Sequence, residues 1–428
     1  MPQRQYNKEQ SKVAKANPRV ILPIEVQTYQ DLASKPEQFR EWLDKMIALF
    51  PELFPQSIEQ GYTLHDMLPA SSKLPDVRFR RIRLKAVNAA GDKQVVTICS
   101  SDVMPYMTGF TNEVEKALYL RRYGVPFSAL TYVFGHNDDY WYRMVSSFGR
   151  YEIVGTVVKN PEQLPSDLLA DEKHVHFNGE KAYIATTVGG DCVLGAALAL
   201  TADEAALTAA YGHFKDEAQH VDPDYTPQTV NTDGWSATQK SWQALFKTIT
   251  VIQCFLHAFL KIRNCSKKRC QSLYAKIEQQ VWDIYHATDR QDFFRQMADF
   301  QIWATRELTG PVLEAAHKLC AKADSFALAF DHPSAYRTSN MIDRHMIPLD
   351  RWLFASRHFH GNWSSAELQI RAWVLFHDFS PYCPRAKAAQ QAISPAHRLN
   401  GFVYHDNWLH NLLISTSSTG LNINHRKC

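Results

Sequence analysis

No apolar run in this 428-residue chain reaches the ~18 residues that a membrane-spanning helix needs, so no membrane partner is expected. The polar N-terminus lacks the apolar stretch of a secretory signal, and a cytoplasmic setting is expected. Eight cysteines are scattered without a single Cys-x-x-Cys pair, which argues against a disulfide scaffold and for reduced thiols. Net charge is also nearly absent: +3 overall points neither toward a polyanionic partner nor away from one. No internal repeat and no low-complexity tract is visible. What remains is a globular composition, 45% hydrophobic and 21% charged, in a chain long enough for two or three domains.

The distribution of charge says more than its sum. Arg4, Lys8, Lys12, Lys15 and Arg19 crowd the first twenty residues against one acid, Glu9. VRFRRIRLK (Val77 to Lys85) alternates basic and apolar residues, which lays a basic row along one face of a strand. Such a row suits a phosphate backbone, or equally the protection of an edge strand. KIRNCSKKR (Lys261 to Arg269) is a third basic cluster. Each run taken alone also fits a solvated face.

Periodicity divides the chain. Residues 1–75 form a helical and basic region, in which QFREWLDKMIALF (Gln38 to Phe50) has the spacing of an amphipathic helix. Residues 76–158 open with a β-hairpin turning at Gly91-Asp92. They continue through 111–149 as helix, Gly124/Pro126 break, short helix, Gly135-His136-Asn137 turn, helix, which is the layout of a helix-turn-helix. The last of these helices offers Tyr140, Tyr142, Arg143 and Ser146 to phosphates or bases. A small helical packing unit is the plainer alternative. Residues 159–169, with two prolines, read as a linker. From 170 to about 380 the pattern is three strands turning at Asn178-Gly179 and Gly189-Gly190-Asp191, then a helix with Thr201 as N-cap and Glu204 three residues on. Two further strands follow, TPQTVNTDGW and TITVIQ, and then an all-helical stretch at about 255–330. Residues 381–428 read as a polar, peripheral tail. The expected fold class is α+β and multidomain, with helices packed on a mixed sheet.

Three phrases stand out in order: DEKHVHFNGEKAYIATTVGGDCVLG, then VNTDGW with QCFLHAFLKIRN behind it, then YRTSNMIDRHM. The first resembles the opening strands of the DDE/D transposases of bacterial insertion sequences. VNTDGW is similar to their second-carboxylate strand, and QCFLHAFLKIRN to the Cys-x-x-His and basic helix found in Mutator-like relatives. YRTSNMIDRHM resembles the segment that presents the third acid, read as T-S-N-x-x-E/D-R. The resemblance spans Asp171 to about Phe379, and its intervals fit members that carry an α-helical insertion before the last catalytic helix. It implies an RNase H-like catalytic domain preceded by the helix-turn-helix region. It also implies Asp171, Asp233 and Asp343 as ligands for two Mg²⁺ or Mn²⁺ ions, DNA cleavage and strand transfer, and recognition of terminal inverted repeats and target DNA. A homodimer or higher homo-oligomer assembled on DNA is implied as well. The third acid is Asp where many relatives carry Glu; Glu307, Glu314 and Glu367 are the fallbacks.

Around these acids the residues suggest supporting roles. Alternation along a strand turns Glu172 away from Asp171, and makes it structural. Cys254 and His257 lie one helical turn apart, which suits hydrogen-bonded support of the site; a zinc site would need two more ligands. Lys261, Arg263, Lys267, Lys268 and Arg269 follow the second acid and suit a DNA backbone. Arg337 and Arg344 flank the third acid, and suit either a phosphate or a structural carboxylate. Two other functions stay open: a catalytically inactive or domesticated DNA-binding regulator, and a nuclease that cleaves without strand transfer.

Overall fold

The structure, a computed structural model, describes residues 18–87, 91–269 and 271–418, with side chains outside 267–271. The basic residues Arg4, Lys8, Lys12 and Lys15 and the side chains of Lys267, Lys268 and Arg269 lie outside the described residues. Two compact units emerge. The first ends at Thr111 and resumes at Thr416; the second is Asn112–Ser415.

In the first unit, β1 (Arg19–Leu22), α1 (Val26–Ala33), α2 (Pro36–Leu49), β2 (Tyr62–Met67), β3 (Arg80–Val87) and β4 (Lys93–Ser100) build a four-stranded sheet in the order β1-β4-β3-β2. The expected hairpin is β3–β4, antiparallel through Ile82↔Val96. β3 is not an edge, because β2 covers it, so edge protection does not account for its basic row. The row is also partly neutralised. Arg81 is paired with Asp66, and Arg80 donates to the carbonyl of Ala33, which leaves Arg83 and Lys85 exposed. Tyr29, fully buried, ties α1 to the sheet through its hydroxyl, 2.6 Å from the Ile98 carbonyl. The chain end completes this unit: Ser417 Oγ accepts from Ile21 N at 2.8 Å and donates to its carbonyl at 3.1 Å.

The second unit starts with three helices, α3 (Thr111–Arg122), α4 (Phe127–Phe134) and α5 (Asp138–Phe148), followed by α6 (Ile153–Val157). Then come β5 (Asp167–Phe177), β6 (Glu180–Gly189), β7 (Cys192–Ala199), α7 (Glu204–Val221), β8 (Thr229–Thr232), α8 (Ser236–Leu245) and β9 (Thr250–Gln253). The five strands order as β7-β6-β5-β8-β9: the first three are an antiparallel meander, and β8 and β9 add parallel to β5. Both meander turns are two-residue turns with positive φ at each position, Asn178 (52°) with Gly179 (88°) and Gly190 (59°) with Asp191 (67°). That is the turn twist that right-handed strand twist favours. The N-cap of α7 is Asp203, not Thr201. Asp203 accepts from Ala206 N at 2.9 Å, and the Thr201 hydroxyl is spent on Asp203 itself.

Five helices then intervene, α9 (Phe255–Arg269), α10 (Gln271–Tyr285), α11 (Arg290–Glu307), α12 (Gly310–Cys320) and α13 (Ala323–Ala327), around their own core of Phe255, Phe259, Ile277, Phe293 and Phe300. The chain returns through α14 (Asn340–Ala355) and α15 (Trp363–Phe379), then α16 (Pro384–Gln390), α17 (Pro395–Asn400) and α18 (Trp408–Ser415). The tail expected to be peripheral is not so. Every residue of α18 is buried, and Trp408 packs edge-on to Phe376 of α15. The apolar content of WLHNLLIS lies in about two turns of helix, too short to register against the polar residues around it.

Candidate functional site

β5 runs parallel to β8, and their last paired residues are Leu169 and Asn231. Two residues beyond this last pair stand Asp171, still within β5, and Asp233, past the end of β8, and the charge of Asp233 bears on Asp171. β8 ends at Thr232, and Asp233 turns the chain: its Oδ1 accepts from Trp235 N at 2.8 Å while Gly234 takes φ of 94°. A side chain is disfavoured at that φ. Burial, then the charges of Glu172 and Asp233, push the Asp171 carboxyl up to about 7; its hydrogen bond from Glu172 N and the charge of His257 oppose the rise. Burial is the largest cause of that rise, ahead of either neighbouring charge.

Which face Asp171 occupies follows from its neighbours. Lys173, two residues on and on the same face, makes an ion pair with Asp350 of α14 at 2.6 Å. Glu172 faces the other way, where the Tyr211 hydroxyl (2.6 Å) and the Thr238 hydroxyl (2.7 Å) both donate to its Oε1. Asp171 therefore looks toward the side of the sheet that α14 covers.

α14 begins at a second anchor. Ser339 N donates to Cys254 Sγ at 3.2 Å, and Ser339 Oγ lies 3.3 Å from both Cys254 Sγ and His257 Nδ1. The preceding segment is held too, since Asn231 Nδ2 donates to the Tyr336 carbonyl and Phe255 N to the Arg337 carbonyl. Asp343 sits one turn into the helix, its N–H on the Ser339 carbonyl at 3.1 Å, half-buried between the Ser339 and Asp350 attachments. The helix that bears the third acid is thereby fastened at both ends of its first three turns.

Cys254 and His257 perturb each other. Burial would raise the Cys254 thiol, but hydrogen bonds from His257 and Ser339 outweigh it and hold the thiol below its usual value. His257 is raised to about 9, first by the Cys254 hydrogen bond against burial, then by the charges of Cys254, Asp171 and Asp233. A protonated imidazole beside two acids supplies a fixed positive charge at the carboxylate pair.

Asp171 and Asp233 suit a hard divalent cation: two oxygen donors, one within β5 and one just past the end of β8. Asp343 is not gathered into the same ligand group. Among the described residues no three His, Cys, Asp or Glu side chains stand close enough to hold a metal ion together. The same finding leaves Cys254 and His257 without zinc partners.

The basic residues separate into free and committed. Lys261 is exposed on α9; Arg263 is partly buried, with its Nε lacking a partner among the described residues. Arg344 is exposed beside Asp343. Arg337 is not free for a phosphate, because its guanidinium is stacked between Tyr285 (4.7 Å) and Phe330 (4.8 Å) and burial lowers its pKa. On α5, Arg143 is exposed and 4.0 Å from Asp139, Tyr142 packs edge-on to Phe127, and Tyr140 stacks on His136 at 4.0 Å. Ser146 is unavailable, since it is buried, donates to the Tyr142 carbonyl and accepts from Gln369 of α15. α5 thus presents only its Asp139–Arg143 side, and its other side joins the sheet's own helical layer.

Two residues at the site carried no signal in the sequence. Lys322, between α12 and α13, brings its Nζ within 3.2 Å of where a Gly234 β-carbon would stand. Trp235, 37% exposed, stands two residues after Asp233, with its ring 6.2 Å from Tyr183. No protein-family model matches the chain, and no curated protein matches it significantly.

Proposed function

We propose that the chain is a DDE/D-type DNA transposase, which cuts and joins DNA at the ends of an insertion sequence by metal-dependent phosphoryl transfer. The observation that carries this reading is the parallel β5–β8 pairing, which ends at Leu169 and Asn231, two residues short of Asp171 and Asp233. It is supported by the strand order, with a three-stranded meander extended by two parallel strands, the arrangement the resemblance implies for an RNase H-like domain. The five-helix excursion between β9 and α14 agrees with the insertion implied there.

A divalent cation held by Asp171 and Asp233 would supply an activated water or 3′-hydroxyl; a second ion, and Asp343 as a further ligand, are what the resemblance implies. The protein's own residues prepare that chemistry. Asp171 and Asp233 concentrate negative charge at the end of β8, and the positive charge of His257 limits their repulsion. Cys254 and Ser339 fix the start of α14, and with it the direction from which Asp343 approaches. Gly234 keeps the passage beside Asp233 free of a side chain.

A second reading, a DNA-binding regulator without catalysis, is favoured by one observation: Asp343 does not join the other two acids in a three-ligand group. The deciding experiment is nicking of DNA that carries the gene's own flanking ends, in Mg²⁺ or Mn²⁺, by the intact protein and by Asp233→Ala. Metal-dependent cleavage at the element boundary, lost in the variant, is the expected result. Binding without cleavage by either protein would transfer the assignment to the regulator. Cleavage without joining would transfer it to a nuclease.

A further inference from the structure

The four-stranded sheet of the first unit buries one side and leaves much of the other open. Ile82 and Leu84 of β3, Val96 and Ile98 of β4, and Val20 and Leu22 of β1 are buried, on the side where Arg80 bonds to the Ala33 carbonyl of α1. The residues between them point the opposite way. Pairing sets these in rows across the strands. Arg19 stands beside Thr97 and Thr97 beside Arg81; in the next row Val95 stands beside Arg83 and Arg83 beside Thr63. Lys85 follows Arg83 on this side of β3, and Lys93 precedes Val95 on this side of β4. Toward β1 the side is covered, because residues 103–107 lie against Ile21, Thr97 and Cys99, and the Arg19 guanidinium stacks on Tyr106 at 4.4 Å. Toward β2 and the β3–β4 turn it is open: Thr63, His65, Arg83, Lys85 and Lys93 are all exposed.

The charges on this open part are of one sign. Arg81, at its inner margin, is paired with Asp66. Arg83 lies 3.1 Å from His65 Nε2, a neighbour that brings no negative charge. Lys85 lays its stem along Gly61, where a β-carbon would stand 3.4 Å from both Cδ and Nζ. Among the described residues no carboxylate is within ion-pair distance of Arg83, Lys85 or Lys93. Cations spaced along hydrogen-bonded strands without such a partner attract a polyanion. Helix α5 is the poorer surface for one. Asp138 and Asp139 are exposed in its first turn, Arg143 has Asp139 4.0 Å away, and Ser146 is buried.

We propose that the open side of the first unit's sheet, through Arg83, Lys85 and Lys93, holds the phosphate backbone of the end DNA, a task that the resemblance gives to the helix-turn-helix region. This rests on the transposase reading and places the grip on DNA in β3 and β4. The Arg83 fork can take two oxygens of one phosphate, and the lysines act as point charges with rotatable donors. Contacts of this kind position a duplex and do not read its bases.

The test is fluorescence anisotropy of the full chain in EDTA over a range of salt concentrations, with two duplexes of equal length. One carries the gene's own flanking ends and the other an unrelated sequence. The variants are Arg83→Gln, Lys85→Gln, Lys93→Gln, the triple variant, Arg83→Lys, Arg143→Gln on α5, and Lys247→Gln, an exposed lysine of the second unit. Each Gln substitution on the sheet is expected to reduce the slope of log K against log salt by about 0.9, the contribution of one phosphate contact, on both duplexes alike. Arg83→Lys, Arg143→Gln and Lys247→Gln should keep the slope of the intact chain. The single variants, all at exposed positions, keep the test readable if the triple variant unfolds. Unchanged slopes in the sheet variants, or a slope that falls only in Arg143→Gln, would overturn the sheet surface and leave the transposase reading standing. Sheet-dependent binding without metal-dependent nicking would keep the surface and overturn that reading. An intact chain that binds neither duplex would overturn both.

Discussion

Asp171 works against the fold that holds it. Its pKa is raised from the ordinary carboxylate value to about 7, so its contribution to stability is fully present below about pH 3.8 and is lost as pH rises through 7. In EDTA, Asp171→Asn is therefore expected to be more stable than the intact chain at pH 8, by on the order of 2 kcal/mol after allowance for solvent screening. The gain should vanish near pH 4. Urea midpoints at the two pH values decide the matter, and equal midpoints at pH 8 would remove the strain argument. Cys254 gives a second test. Cys254→Ala takes away the acceptor of Ser339 N and the main cause of the raised His257 pKa. The His257 ring, followed by NMR, should then titrate well below 9, and the variant should lose about 1–3 kcal/mol for the stranded donor. Cys254→Ser should recover part of both. Asp171 and Asp233 stand out among 44 acidic residues only through the family resemblance; the structure places the first within β5 and the second just past the end of β8. Lys322 was not legible: it sits among alanines in a helical stretch, and only the tertiary packing of α13 brings it to Gly234. Arg337 was legible as a cation but not as a committed one, because its stacking rings, Tyr285 and Phe330, come from two other elements.

Between elements, α14 and α15 are joined by imidazoles. His345 Nδ1 and His377 Nε2 lie 2.8 Å apart, with Arg122 donating toward His377 Nδ1 at 3.3 Å and Asp191 3.9 Å from His345. The neighbouring Asp378 carboxyl is fully buried, accepts from Val193 N, and burial raises its pKa far above the usual value. Burial lowers His345 to about 4 and holds His377 well below its usual value, with the charges of its partners contributing less. Both rings are neutral in the fold. Their share of stability is complete above pH 6.5 and is lost as pH falls toward 4, opposite in sign to the effect of Asp171. In the Asp171→Asn background the urea midpoint should therefore fall steadily between pH 6.5 and 4, and His345→Gln should flatten that fall. A midpoint that does not move over this interval would show that the pair is not held neutral. At this scale the meander was readable, because Asn-Gly and Gly-Asp turns admit few geometries. β1 and β2 were not read, since RVIL and YTLHDM are too short to show alternation above their surroundings. The three helices at 111–148 fell close to their expected places, but periodicity could not tell that Ser146 and Trp141 are turned inward toward α15 and the Gly135 carbonyl.

For the whole molecule, the division differs from the one read along the chain. Along the chain the division falls after Thr111 and after Ser415, whereas the sequence pattern puts boundaries near 75, 158 and 380. Linear patterns reveal linkers; they do not reveal that a unit is resumed some three hundred residues later. The residues that resume it are few but well placed: Ser417 brackets Ile21, Ser418 N donates to the Arg19 carbonyl, and Ser418 Oγ donates to the Leu53 carbonyl. This stitching bears on how the protein is made. During synthesis the first unit leaves the ribosome early but lacks its closing segment until the residues after Ser415 have been added, so the second unit can finish folding before the first. A chain stopped after Ser415 should keep a folded second unit and expose protease sites in the first, whereas one stopped after Ser418 should resist digestion throughout the described residues.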